Sequence, residues 1–178
     1  MLVFYQTRFA LPLALSLVLG IAGPATAQQR EVKTTHGDWQ ILCLSGTDQC
    51  AMQQIGNLSS GERALAVQIT RVDARTEQGE VVPATVEIVA PLGVLLPAGV
   101  RVQVDGGKMR ATGFEVCISN GCIAQDVMSD EFIGDMKRGS TAKMIIVLAN
   151  KGESPIDISL KGFTRAFDSL TPLRPQTQ

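Results

Sequence analysis

The segment GVLLPAGVRVQVDGG, residues 93–107, carries the pattern that decides the fold. Leu96-Pro97-Ala98-Gly99 reads as a turn, with proline presetting φ and glycine closing it. Val100, Val102 and Val104 then alternate with Arg101, Gln103 and Asp105, which predicts a half-buried strand. Asp105-Gly106-Gly107 ends it. Turn, short alternating strand, turn is the unit from which the chain is built.

The unit recurs on both sides. Trp39 to Leu44 and Gln49 to Ile55 flank Ser45-Gly46-Thr47-Asp48 and read as a hairpin. Leu65, Val67, Ile69 and Arg71 share one register of a further strand. Residues 81–90, VVPATVEIVA, contain Pro83, which suits an edge or a strand start. Phe114 to Ser119 and Cys122 to Val127 flank Asn120-Gly121, another hairpin signal. Thr141 to Leu148 and Ile156 to Leu160 complete the set. Two segments break the period. Ser129 to Arg138 has a capping serine, acids first, bases last and Gly139 beyond, the charge order of a short helix. Phe163, Ala166, Phe167 and Leu170 fall at helical spacing before Pro172. Many short strands with one or two short helices predict an all-β sandwich of antiparallel strands. Gln28 to Thr35 is polar and is expected to form a loose arm.

The chain begins with a different pattern. Arg8 precedes the apolar run FALPLALSLVLGIA, residues 9–22, and the small-residue exit Ala25-Thr26-Ala27. This order predicts a secretory signal peptide over residues 1–27, cleaved after Ala27. The apolar run is shorter than the about 20 residues of a spanning helix, and no later segment is long and apolar enough to span a bilayer. Residues 28–178 are then expected to form a single domain in the periplasm or outside the cell. Removing Arg8 from the 16 Lys and Arg residues leaves 15 against 17 Asp and Glu, a net charge near −2. No basic cluster is interleaved with aromatics, so nucleic acid is not expected as a partner.

An export setting favours disulfides among the four cysteines, for which three pairings exist. The spacings, six residues between Cys43 and Cys50 and four between Cys117 and Cys122, favour the two local bridges. Zinc normally takes closer cysteine pairs or paired histidines. A redox pair more often occupies C-x-x-C at a helix start, where the dipole lowers the thiol pKa. Around Asn120-Gly121, a two-residue turn would place Cys117 and Cys122 diagonally, about 7–8 Å apart between Cα atoms. A four-residue loop over residues 118–121 would set them opposite, inside the usual bridging window of about 4.4–6.8 Å. The four-residue loop is therefore expected, with Gly121 in a left-handed conformation. No catalytic, cofactor-binding or metal-binding residue is assigned. His36, the one histidine, falls in the expected arm, and no nucleophile, metalloprotease or phosphate-loop motif is present. Glu87 and Glu115 read as solvent-facing strand positions. Asp126, Asp130, Glu131 and Asp135 match no calcium-loop spacing and read as a solvated face.

GDWQILC with Cys50, PLGVLLPAGVRVQVDGG, FEVCISNGC and SLKGFTRAF together resemble the invasion-associated locus B family of exported alphaproteobacterial proteins. The resemblance implies an exported β-rich domain, in a family some of whose members are linked to bacterial entry into host cells. It supplies no catalytic residues. Trp39 is expected over the core, with Phe163 and Phe167 sealing one end. The resulting expectation is a non-enzymatic envelope or secreted binding domain, without cofactor, for an envelope or host-surface component. A hydrolase with a dispersed site and a thiol–disulfide exchange protein are the competing readings. Neither the partner nor the oligomeric state follows from the sequence.

Overall fold

The computed structural model describes residues 29–173; the expected leader, residues 1–27, lies outside them, as does the tail from residue 174. Among these residues the alternating pattern resolves into eleven strands in two antiparallel sheets, with two short helices. The strands are β1 (Arg30–His36), β2 (Trp39–Leu44), β3 (Cys50–Asn57), β4 (Arg63–Arg75), β5 (Val81–Ala90) and β6 (Val100–Val104). They continue with β7 (Arg110–Thr112), β8 (Val116–Ile118), β9 (Gly121–Met128), β10 (Thr141–Leu148) and β11 (Gly152–Ser159). The larger sheet runs β1-β2-β3-β4-β5-β9-β8 and the smaller β11-β10-β6-β7. The expected all-β architecture is therefore present. β11 lies over β3 and β7 over β9, so the apolar faces meet across the sandwich.

The arm is a correction. Residues 30–36 form β1, paired with β2 from Arg30 opposite Leu44 to His36 opposite Trp39. Its side chains are almost all exposed, so no inward alternation marks it; backbone pairing to β2 is its main hold, with α2 packed beside it. Pro83 meets the strand-start alternative, as the third residue of β5 and one position before pairing with β9 begins at Ala84. It lies in β5, which is flanked by β4 and β9 inside the larger sheet. There Val72 and Asp73 of β4 oppose Pro83 alone in a β-bulge, so proline's missing N–H breaks no regular ladder. On the other side of β4, Leu173 donates to the Arg71 carbonyl and accepts from the Asp73 amide, both at 2.9 Å.

Both helices form where the charge order and spacing place them. Helix α1 (Asp130–Arg138) is capped by Ser129, whose hydroxyl accepts from the Phe132 amide at 3.2 Å. Helix α2 (Phe163–Ser169) buries Phe163, Ala166 and Phe167 and packs on β1, β2 and α1. Trp39 is fully buried, with its ring edge-on to Phe163 at 5.4 Å, and Phe163 stacks on Phe167 at 5.9 Å. The Trp39 indole N–H is satisfied by the Ser159 carbonyl at 3.0 Å.

Two backbones meet closely at this aromatic end. Gly37 and Gly162 have φ of 60° and 88°. A Cβ on Gly162 would lie 2.1 Å from the His36 carbonyl oxygen, and one on Gly37 would lie 2.3 Å from that of Lys161. Gly162→Ala therefore combines left-handed strain of about 1–2 kcal/mol with a backbone clash. We expect a loss of at least about 2 kcal/mol in denaturant unfolding, whereas Gly46→Ala, at an open turn, should lose less.

Candidate functional site

The cysteines form two local disulfides, Cys43–Cys50 and Cys117–Cys122. Each joins residues directly opposite one another in a hairpin, with Cα atoms 4.0 Å apart, closer than the expected window. The second hairpin differs from its expectation. Ile118 pairs with Gly121, so the loop tightens to Ser119-Asn120 while the cysteines remain opposed. Gly121 has a φ of 144°, positive but outside the left-handed helical basin, and a Cβ there would lie 2.4 Å from the Ala90 carbonyl oxygen. Close passage of β5 therefore requires this glycine. Both bridges join adjacent strands, away from any helix N-terminus that would favour a thiolate.

The clasped hairpin leaves apolar side chains outside. All of β8 is exposed, with Val116 at 50% and Ile118 at 48%. Beside its tip, where Asn120 and Pro91 line one shallow depression, the uncharged loop after β5 exposes Leu92, Leu95 and Leu96. The following 3₁₀ turn, Leu96–Ala98, is closed by Gly99, which passes against the Thr112 carbonyl. Exposed large aliphatics, where contiguous, mark interaction surfaces.

A second feature opens between the sheets. Val86 and Ile88 of β5, Met128 of β9, Met136 of α1 and Met144 of β10 line a cleft of about 450 Å³. Shallower polar depressions enclose similar volumes, so its apolar lining sets it apart. Arg110 of β7 lies in its wall. The Arg110 guanidinium sits 4.7 Å from the Phe132 ring centroid. Its Nη2 is 3.4 Å from Glu131 and 3.7 Å from Asp135, yet this buried nitrogen makes no hydrogen bond. The contacts are ion pairs by distance without hydrogen-bond alignment.

The acids singled out in the sequence form no single site: Glu131 and Asp135 stand against Arg110, while Glu87, Glu115 and Asp126 line a shallow polar depression. Glu87 accepts from the Gln125 amide at 2.8 Å, and Asp135 pairs with Arg138 at 2.9 Å. Asp126 occupies the same side of β9 as buried Ala124 and Met128, yet it is exposed because it borders the cleft. Its Oδ1 accepts from the Val127 amide. His36 ends β1 as a partly buried residue, and among the described residues no cluster of three potential metal ligands occurs. The cleft residues Lys108, Met109 and Arg110 were not anticipated. One signal was available: four of the five methionines after residue 28 lie between residues 109 and 144, and all four line the cleft.

These features define a disulfide-clasped β-sandwich with an apolar cleft and an apolar loop surface. A sequence model of the invasion associated locus B (IalB) protein family matches residues 39–171, and the chain belongs to that family. It is 26% identical over 147 residues to invasion protein B of Bartonella bacilliformis, covering 79% of this chain and 75% of that protein. The crystal structure of invasion associated protein B from Bartonella henselae superposes with a TM-score of 0.61 at 26% identity. That match covers 80% of this chain and 95% of the other.

Closing rings of six and eight residues restricts the unfolded chain by about 2–2.5 kcal/mol each in the loop-entropy treatment. Removing Cys117–Cys122 by a double serine substitution should therefore cost about 2 kcal/mol. Hydrogen exchange should accelerate over residues 115–123 while β10 and β11 retain their protection. Equal acceleration in both sheets would show that the bridge supports the whole sandwich.

Proposed function

We propose that the protein is exported, loses residues 1–27 and acts in the periplasm or outside the cell as a non-enzymatic binding domain. Its target is an apolar protein surface in the envelope or on a host cell. The observation that carries this reading is the exposure of large aliphatics on the clasped hairpin and on the loop after β5: Val116 and Ile118 of β8, and Leu92, Leu95 and Leu96 following Pro91, which lines one depression with Asn120 of the hairpin turn. Leaving such residues in water forgoes their hydrophobic stabilisation, and a partner would recover it. The disulfide restricts β8, so less ordering remains to be done on binding. Family membership supports the same reading, since the curated relative is called an invasion protein.

Expression of the full gene should yield a processed chain beginning at Gln28 outside the cytoplasm, read by fractionation and N-terminal sequencing. A photo-crosslinker at Ile118 should give a discrete adduct with an envelope or host-membrane protein. The same probe at Thr47, in the β2–β3 turn, should not. Leu95→Asp should remove the adduct without changing the melting temperature by more than a few degrees. Identical adducts from both positions would reject the surface as a specific site.

A further inference from the structure

The cleft between the sheets carries an inference independent of the loop surface. Its floor is aliphatic and thioether, from Val67, Ile69, Ile88, Met128, Met136 and Met144. Its volume of about 450 Å³ falls within the about 300–1,000 Å³ typical of small-molecule sites. Methionine side chains adapt their shape, so this wall can mould to a flexible chain. Val81, Met109 and Val127 line the cleft and remain 58%, 42% and 57% exposed, extending the apolar surface outward.

The polar groups define the other end of a ligand. Lys108 and Arg110 line the cleft, and so do Glu80 and Asp126. With Glu131 and Asp135 standing against Arg110, and Arg138 against Asp135, the charged groups here offer no excess of cations, which disfavours an anionic head. The Arg110 side chain is 26% exposed, and since its Nη2 is covered beside Glu131 and Asp135, a ligand in the cleft meets the rest of the guanidinium. Glu131 and Asp135 already balance its charge at 3.4 and 3.7 Å. The remaining capacity is therefore for donation to an uncharged oxygen rather than for pairing with another anion.

We propose that the cleft binds one acyl chain carrying an uncharged ester head, a ligand of the monoacyl-lipid class. The chain occupies the methionine-walled floor, and the ester carbonyl accepts from the Arg110 guanidinium beside Phe132.

The test uses the disulfide-bonded, exported protein labelled at its methionine methyls, with monolauroylglycerol added below its micelle concentration. Saturable shifts are expected at Met109, Met128, Met136 and Met144, while Met52, which lies outside the cleft, stays still. Dodecanoate and dodecyltrimethylammonium, with the same chain length and opposite charges, should bind more weakly than the ester. Arg110→Gln should weaken the ester by roughly threefold to tenfold, the loss of one hydrogen bond. Val86→Phe, which fills the cleft, should abolish the methyl shifts. Failure of the four methyls to move in the unsubstituted protein would overturn the proposal without reference to any variant. Equal affinity for all three heads, unchanged by Arg110→Gln, would overturn it as well, since that is indiscriminate surfactant binding. The crosslink at Ile118 tests the loop surface separately, so either reading can fail alone.

Discussion

The fold is governed by an area mismatch: seven strands must be covered from one side by four. A four-stranded layer cannot shield the inner face of the larger sheet, and each large apolar residue left uncovered forgoes about 1.5–3 kcal/mol. At one flank α2 supplies the missing cover. It lies on β1 and β2 and brings Phe163 against Trp39, so the inner residues Trp39, Ile41 and Cys43 become buried. Lys137 and Arg71 complete that seal with cations 5.1 and 5.2 Å from the centroid of Phe167. At the other flank the cover is partial. There α1 contributes Phe132 and Met136, and the space it leaves between β5, β6 and β9 is the cleft.

That mismatch also explains where the chain is locally pinned. Asp105 adopts a φ of 43° while its carboxylate accepts from the Ser140 and Thr141 amides at 2.8 and 2.9 Å. This ties the end of β6 to the start of β10 and fixes the register of the covering sheet. The disulfides act elsewhere, on two hairpins of the larger sheet. Cys43 and Cys122 point into the core at 1% and 2% exposure, so each bridge anchors its outer partner to buried packing. The clasps hold the wider layer, and hydrogen bonding fixes the narrower one.

Legibility in the sequence followed burial. Strands with one wet and one dry face, such as β6 and β10, announce themselves by alternation, and their bounds need only their turns. Both helices were legible, Ser129–Gly139 because cap and charge order agree and Phe163–Leu170 because its apolar residues keep helical spacing. β1 was not, because its side chains have no buried side to record in sequence. β7 was not, because three residues cannot display a period. The disulfide partners were readable from spacing, but the turn between them was not. Ser119-Asn120 is selected by the passage of β5 against Gly121, a tertiary contact that no local residue choice reports. The cleft was hidden for the same reason: its lining comes from separate strands and a helix, joined only by packing.

Within this scaffold, two positions break the pattern that the rest obeys. Asp126 stands on the inward side of β9 between Ala124 and Met128, where alternation calls for an apolar residue. Arg110 lies against the same interior with a buried nitrogen that bonds nothing. A carboxylate and a guanidinium facing a core would each be costly if the layers closed fully over them. Both are tolerated because the sheets part at this flank. Conversely, apolar residues at both positions would favour closure of the layers and loss of the space. Local conflicts with an otherwise consistent pattern concentrate where a protein does something besides fold. Here the conflicts and the incomplete cover coincide. The cleft is therefore a specified feature of the sequence rather than a remainder of imperfect packing.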